Sequence, residues 1–350
     1  MWAMVVKEFR QVRRDRRTLA MMIVMPVVLL VVFGYAASFD VSDIPTIVVG
    51  PGAEQAGTSL PAMFALTKVD SSGHREQAVE VLRRGQAVVA LVADPAGPQA
   101  LIDGSQLFSA RAAVQVLTEV QRRIPDLQTE VLFNPGLDTS AVLVPGLGGL
   151  ILLFVGTVIT SLGVVRERQA GTLEQLAVMP LRPADVFIGK VAPYFLVAAI
   201  DLTVVLVVGT ALFGVPFNGN VFTLALGSLL FLFVTLGVGV LISGVSQNQG
   251  QAIQLALMTL LPQVLLSGII FPLESMAPGV HWLGYILPLT YFNQIARGVM
   301  VRGAPIDSLF GPLLLLATLG LVAFGLAVVR FRRDLATAES GGGEGEAHAA

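Results

Sequence analysis

The chain contains no cysteine. Disulfides, thiolate nucleophiles and cysteine-based metal sites are therefore excluded, and any domain outside the cytosol stands without a covalent staple. Charge is scarce: Asp, Glu, Lys and Arg make up 13% of the 350 residues, against about 25% in soluble domains. With 54% hydrophobic residues, this is the composition of an integral membrane protein. Histidine occurs only at 74, 281 and 348, without metal-ligand spacing, and no H-E-x-x-H is present. No G-x-x-x-x-G-K-[ST] loop is present to cradle a nucleotide; Gly189-Lys190 lacks both the upstream glycine and the following hydroxyl residue. No metal and no cofactor is expected on this chain. Paired acids, a His cluster and a nucleophile constellation are also missing, which disfavours a membrane-embedded enzyme.

What the chain has is long apolar runs. Six are long enough to span a bilayer, at 18–38, 142–165, 186–213, 221–243, 252–271 and 308–329. Basic clusters flank them at Lys7–Arg17, at Arg166, Arg168, Arg182 and Lys190, and at Arg330, Arg332 and Arg333. The positive-inside rule puts all three in the cytoplasm, so both termini lie inside. The arm 1–17 beside a span is better explained by topology and anionic headgroups than by nucleic acid. A cleavable leader is the competing reading of the N-terminus, opposed by the long arm and a bilayer-length apolar run.

The segment 39–140 is too polar to span. It reads as an inserted extracytosolic α/β domain, with strands near 44–49 and 87–93 and helices near 75–84 and 108–123. The predicted fold class is an all-α polytopic membrane protein with six transmembrane helices and this α/β insertion. Segment 272–307 carries four prolines and an aromatic cluster, Trp282, Tyr285, Tyr291 and Phe292. It is expected outside as short re-entrant or interfacial helices, with the aromatics at headgroup level. The tail 334–350, with its glycines and acids, is expected to be disordered.

Between the second and third runs lies an island of charge and turn residues, Arg166-Glu167-Arg168-Gln169-Ala170-Gly171-Thr172-Leu173-Glu174-Gln175-Leu176, then Pro180. Gly171 supplies a bend, and Thr172 with Gln175 forms a capping box. The product is a short cytosolic helix over 171–180, with Leu173 and Leu176 on one side. Asp201 sits near the middle of the third run. A mid-bilayer carboxylate costs about 2.5–3.5 kcal/mol on insertion scales, so it is expected to face protein or water, as a strut or as part of a path. In the fifth run, Gln254 and Gln263 are candidate path residues. Pro262 frees a backbone carbonyl that Gln263 can satisfy.

The island resembles a known family. Glu167-Arg168-Gln169-x-Gly171-Thr172-Leu173-Glu174-x-Leu176-x-x-x-Pro180, then Gly189-Lys190, is similar to the signature of ABC-2 type transporter permeases. So are Phe271-Pro272-x-x-x-Met276-x-Pro278, Leu287-Pro288-Leu289-Thr290-Tyr291-Phe292 and Arg297-Gly298, and more weakly Lys7-Glu8 with Arg14-Asp15. The resemblance implies a coupling helix that docks on a separate ATPase through Arg166, Glu167, Gly171, Thr172, Leu173, Glu174, Leu176 and Pro180. It implies two ATPase subunits carrying ATP and Mg, and a second permease copy or paralogue, in a bacterial cytoplasmic membrane. It also implies that the proline-rich segment closes the outer end of the path, which makes Phe271, Pro272, Pro288 and Tyr291 candidate gate residues beside the path candidates Asp201, Gln254 and Gln263. The large insertion resembles exporters of drugs, lipids or other hydrophobic compounds. A sensor or assembly protein that binds a ligand through the insertion is the alternative.

Overall fold

The computed structural model describes residues 43–94, 97–171 and 183–347, with isolated positions before residue 43. The predicted first span is described only at scattered positions, fewer than half of its residues, and residues 172–182 of the connector lie outside the described residues.

The α/β domain holds strands Ile44–Val49 (β1), Phe64–Asp70 (β2), Val89–Asp94 (β3), Gly97–Asp103 (β4) and Gln128–Leu132 (β5). Helices Ala53–Thr58 (α1), Arg75–Arg83 (α2) and Leu107–Arg123 (α3) join them. The sheet order is β2-β1-β3-β4-β5, parallel except for the antiparallel β3–β4 pair. Side chains alternate across a strand, so neighbours serve different cores. Val89 and Ile102 pack with Ala110, Ala113 and Leu117 of α3 on one face. Ala90 and Leu101 pack with Ala78 and Leu82 of α2 on the other. With both faces covered, β1 reads as a nearly unbroken apolar run, which made it legible in the sequence. Strands β2 and β5 sit at the two sheet edges, with mixed and largely exposed side chains, and carry no such signal.

Beyond β5 the chain is helical. The elements are Thr139–Gln169 (α4), Pro183–Phe213 (α5), Val221–Val245 (α6), Gln249–Leu266 (α7), Pro278–Gly284 (α8), Pro288–Arg297 (α9) and Phe310–Ala347 (α10). Four described stretches are long and apolar enough to cross a membrane: Thr139–Gln169, Ala192–Phe213, Val221–Val245 and Ile306–Arg330. They match the second, third, fourth and sixth predicted runs. The fifth differs. Its helix starts earlier and stops at Leu266, with Ser267 as C-cap and Gly268 at φ +80°. At 18 residues it is about 27 Å long, just short of a bilayer's hydrocarbon core. Glycine adopts the left-handed conformation without steric penalty, so Gly268 ends the helix where hydropathy alone continues it.

The bundle is layered. Stretches of α4 and α6 are 67% and 61% buried, against 11% and 22% for α5 and α10, so α4 and α6 form its centre. At Phe154–Ile159, α4 widens into one π turn. There Gly239 of α6 rests against the carbonyls of Gly156 and Thr157, with no space for a side chain. At the far end, the helical backbone of α10 continues to Ala347, into the tail expected to lack order. Leu335, Ala336, Ala338 and Glu339 are good helix formers and no proline follows Pro312.

Candidate functional site

At 31 residues, α4 is about 46 Å long, so its two ends serve different environments. Its first end meets the α/β domain, where Arg111 Nη2 donates to the Leu137 carbonyl at 3.0 Å. Its other end leads into the polar island.

That far end is tied into a plate. The Ala170 N–H donates to the Arg166 carbonyl and the Gly171 N–H to the Arg168 carbonyl. Gly171 then turns at φ +72°, the expected bend. Arg168 Nη1 donates to the Ser246 carbonyl at 3.1 Å, and Gln249 Nε2 donates to Gln169 Oε1 at 3.0 Å. Asn248 caps α7 by accepting from Gln251 N–H at 2.9 Å. Arg330 Nη2 reaches the Gly244 carbonyl at 2.9 Å. The ends of α4, α6 and α7 are thereby joined, and α10 is tied to them at Arg330. Arg166 and Arg168 in the last turn of α4 complement its negative terminus. Arg166 is exposed beside the plate and Glu167 is half-buried in it. Thr172, Leu173, Glu174, Leu176 and Pro180 lie outside the described residues.

In mid-bundle, Asp201 is half-exposed on α5, and no described residue gives it a hydrogen bond or ion pair. Gln254 is half-buried on α7. Gln263 is 3% exposed and its Oε1 has no partner among the described residues. The structure does not gather these three into one cluster. Close packing dominates this level: Gly148 of α4 faces Leu202 of α5, the neighbour of Asp201.

At the domain end, the proline-rich segment is a series of short helices, as its composition predicts. Pro278 and Pro288 each begin one, because proline suits the first helical turn. The aromatics divide. Trp282 and Tyr285 are exposed, whereas Tyr291 and Phe292 are buried, which corrects their headgroup placement. Phe292 stacks on Phe231 of α6 at 4.9 Å, and the Tyr291 hydroxyl donates to the Tyr285 carbonyl. Four apolar neighbours in the run Pro288–Phe292 gave no hint of this, since α9 is buried on nearly every side. Phe271 and Pro272 are buried, Phe271 in a cluster with Val280 of α8.

Two ion pairs fasten the α/β domain to this end. Arg84 Nη1 meets Asp307 Oδ2 at 2.8 Å, and Glu80 and then Asp307 hold the Arg84 guanidinium more firmly protonated than usual. Arg302, only 10% exposed, meets the fully buried Asp103 at 3.4 Å. Sequence reasoning missed Arg84, Asp103 and Arg302 as partners; the available signal was an arginine inside an otherwise apolar segment. A cavity of about 390 Å³ lies between these attachments, and Pro272 is part of its wall.

Comparison with known proteins gives a consistent result. The ABC-2 family transporter protein profile matches residues 16–329. The chain is 29% identical over 366 residues to "Probable multidrug ABC transporter permease YbhS" of Escherichia coli, covering 95% of this chain and 97% of the relative. It is 27% identical over 370 residues to YbhR of the same organism, which carries the same description, covering 96% and 99%. It is 32% identical over 218 residues to "Inner membrane transport permease YhhJ", covering 60% of this chain and 57% of that one. A multi-pass helical bundle, an α/β domain and a match across nearly the whole chain agree: this protein belongs to the ABC-2 family of transporter proteins.

Proposed function

We propose that the chain is the membrane subunit of an ABC exporter for a hydrophobic or amphipathic compound, powered by a separate ATPase. The observation that carries this reading is the end-to-end similarity to two relatives named as multidrug transporter permeases. The plate at the end of α4 supports it mechanically. A push on residues 172–180 reaches α4 through Gly171 and α5 through Pro183. Arg168 and Gln169 pass it on to the ends of α6 and α7. Only a structure braced in this way turns a local displacement into a movement of whole helices.

In this reading ATP and Mg are held by two partner ATPase subunits, and this chain provides the path and the docking surface. The six spans comprise the four described ones, residues 18–38, and α7 extended by 267–271. Both termini and the plate face the cytosol, and the α/β domain lies on the other side of a bacterial inner membrane. The apolar face of α5, with Leu196, Ile200, Val204 and Val207 exposed, is left for lipid, the first span or a second permease copy. That placement gives Asp201 a neighbour outside the described residues, consistent with the cost of an uncovered carboxylate in a bilayer.

The test is Leu173→Asp combined with Leu176→Asp. The double variant should reach the membrane in normal amount, while the ATPase no longer co-purifies and transport stops. Undiminished co-purification would refute the docking role.

A further inference from the structure

The cavity between the α/β domain and the bundle has an unusual wall. Every charged residue lining it is a cation: Arg84, Arg297 and Arg302. Its volume, about 390 Å³, falls within the range of small-molecule sites.

Two features of the wall favour an anion, with Asp103 between them, pairing with Arg302 and accepting from the Ser105 N–H at 2.9 Å. The first is the start of α3. Gln106, Leu107, Phe108 and Ser109 line the cavity, and they are the N-cap and first turn of a 17-residue helix. Gln106 makes no side-chain cap and the first turn contains no acid. A helix N-terminus without a cap or an acid favours an anion. The second feature is Arg302. Its side chain is 10% exposed, yet its Nε is buried without an acceptor. Its Nη1 reaches Asp103 at 3.4 Å and Ser105 Oγ at 3.3 Å. Both are long beside the 2.7–2.9 Å of a well-formed charge-assisted bond. A buried donor without an acceptor is rare in native structures, and Arg302 is thus a guanidinium held by fewer bonds than it can make.

The rest of the wall is apolar, including Phe108, Ile269, Leu273 and Leu309. Val142 and Pro312 also line it, and they lie near the starts of α4 and α10. An occupant with a tail would therefore extend toward the apolar surface of the bundle.

We propose that this cavity binds the oxyanion head of an amphipathic molecule. The first turn of α3 and Arg302 hold the anion, and the apolar wall holds the beginning of its tail. A lipid phosphate and the acidic group of a transported compound share this chemistry. Only the assignment of the cavity to the outer side of the membrane rests on the exporter reading.

The test uses the full-length protein in phosphatidylcholine nanodiscs, titrated with dodecyl phosphate and read by the shift in thermal melting. Dodecyl phosphate should bind saturably. Dodecanol and inorganic phosphate at equal concentration should bind at least tenfold more weakly. Gln106→Glu places a carboxylate at the N-cap, which stabilises the helix while filling the anion position. It should weaken dodecyl phosphate at least tenfold without lowering the ligand-free melting temperature. Arg297→Gln should weaken it in the same direction. Exchange into phosphatidylglycerol nanodiscs separates the sources. Competition there assigns the site to a lipid headgroup, and undisturbed binding assigns it to a transported molecule. Equal binding of dodecanol, or full affinity in Gln106→Glu, overturns the proposal. Loss of ATPase docking in the connector variant leaves this binding intact, so the two readings fail separately.

Discussion

The crossing of α4 and α6 is where a single methyl group should matter most. A Cβ on Gly239 would stand 2.5 Å from the Gly156 carbonyl oxygen and 3.0 Å from that of Thr157. Both obstacles are backbone, so no rotamer change relieves them, and the helices must separate. Overpacking of this kind costs about 1–3 kcal/mol, and a clash with backbone belongs near the upper end. The gain from replacing helical glycine by alanine is about 1 kcal/mol. Gly239→Ala should therefore destabilise by about 1–2 kcal/mol. Gly325 of α10 provides the control, because its Cβ would meet nothing within 4 Å. Gly325→Ala should keep the propensity gain of up to about 1 kcal/mol. The two variants then differ by about 2–3 kcal/mol, or about 4–12 °C in thermal melting at 2–4 °C per kcal/mol. Melting of the purified protein in one detergent measures this directly. If the two variants melt together, the crossing is not as close as the backbone positions require. Since α4 leads into the plate, Gly239→Ala should also lower transport more than its stability loss accounts for.

The two attachments of the α/β domain should differ in strength. Arg302→Met leaves Asp103 buried without a cation and should cost about 3–5 kcal/mol. Arg84→Met breaks a solvent-exposed pair and should cost far less. Chemical unfolding of the two variants side by side distinguishes them, and equal losses would contradict the assigned burial. Arg168→Ala removes a charged hydrogen bond worth about 1.5–3 kcal/mol. It should reduce ATP-driven transport while membrane insertion stays normal, as measured in reconstituted vesicles with the partner ATPase. Asp201→Asn removes the mid-bilayer charge and should raise the level of inserted protein. Unchanged transport in that variant makes Asp201 structural, and lost transport with intact assembly places it in the path.

The candidate site was legible where its chemistry is local. The bend at Gly171 and the division of segment 272–307 into short helices follow from single-residue conformational limits, and the structure bears them out. The plate was not legible, because its bonds join residues about 80 positions apart, Arg168 to Ser246 and Gln169 to Gln249. The cavity was not legible for the same reason. Arg84, Gln106 and Arg302 belong to three separate segments, and none carries a motif.

Residue composition and run length alone determined the membrane class, four of the spans and the inner strand β1, since burial in lipid or on both sheet faces demands continuous apolar sequence. The tertiary structure decided what depends on neighbours. It ended α7 at Leu266 and took Tyr291 and Phe292 into the bundle. It also ordered the sheet and brought three arginines and a bare helix end around one cavity. Hydropathy reports how much surface must leave water. Which surfaces meet depends on packing between segments far apart in the chain, and that information is in no single stretch of sequence.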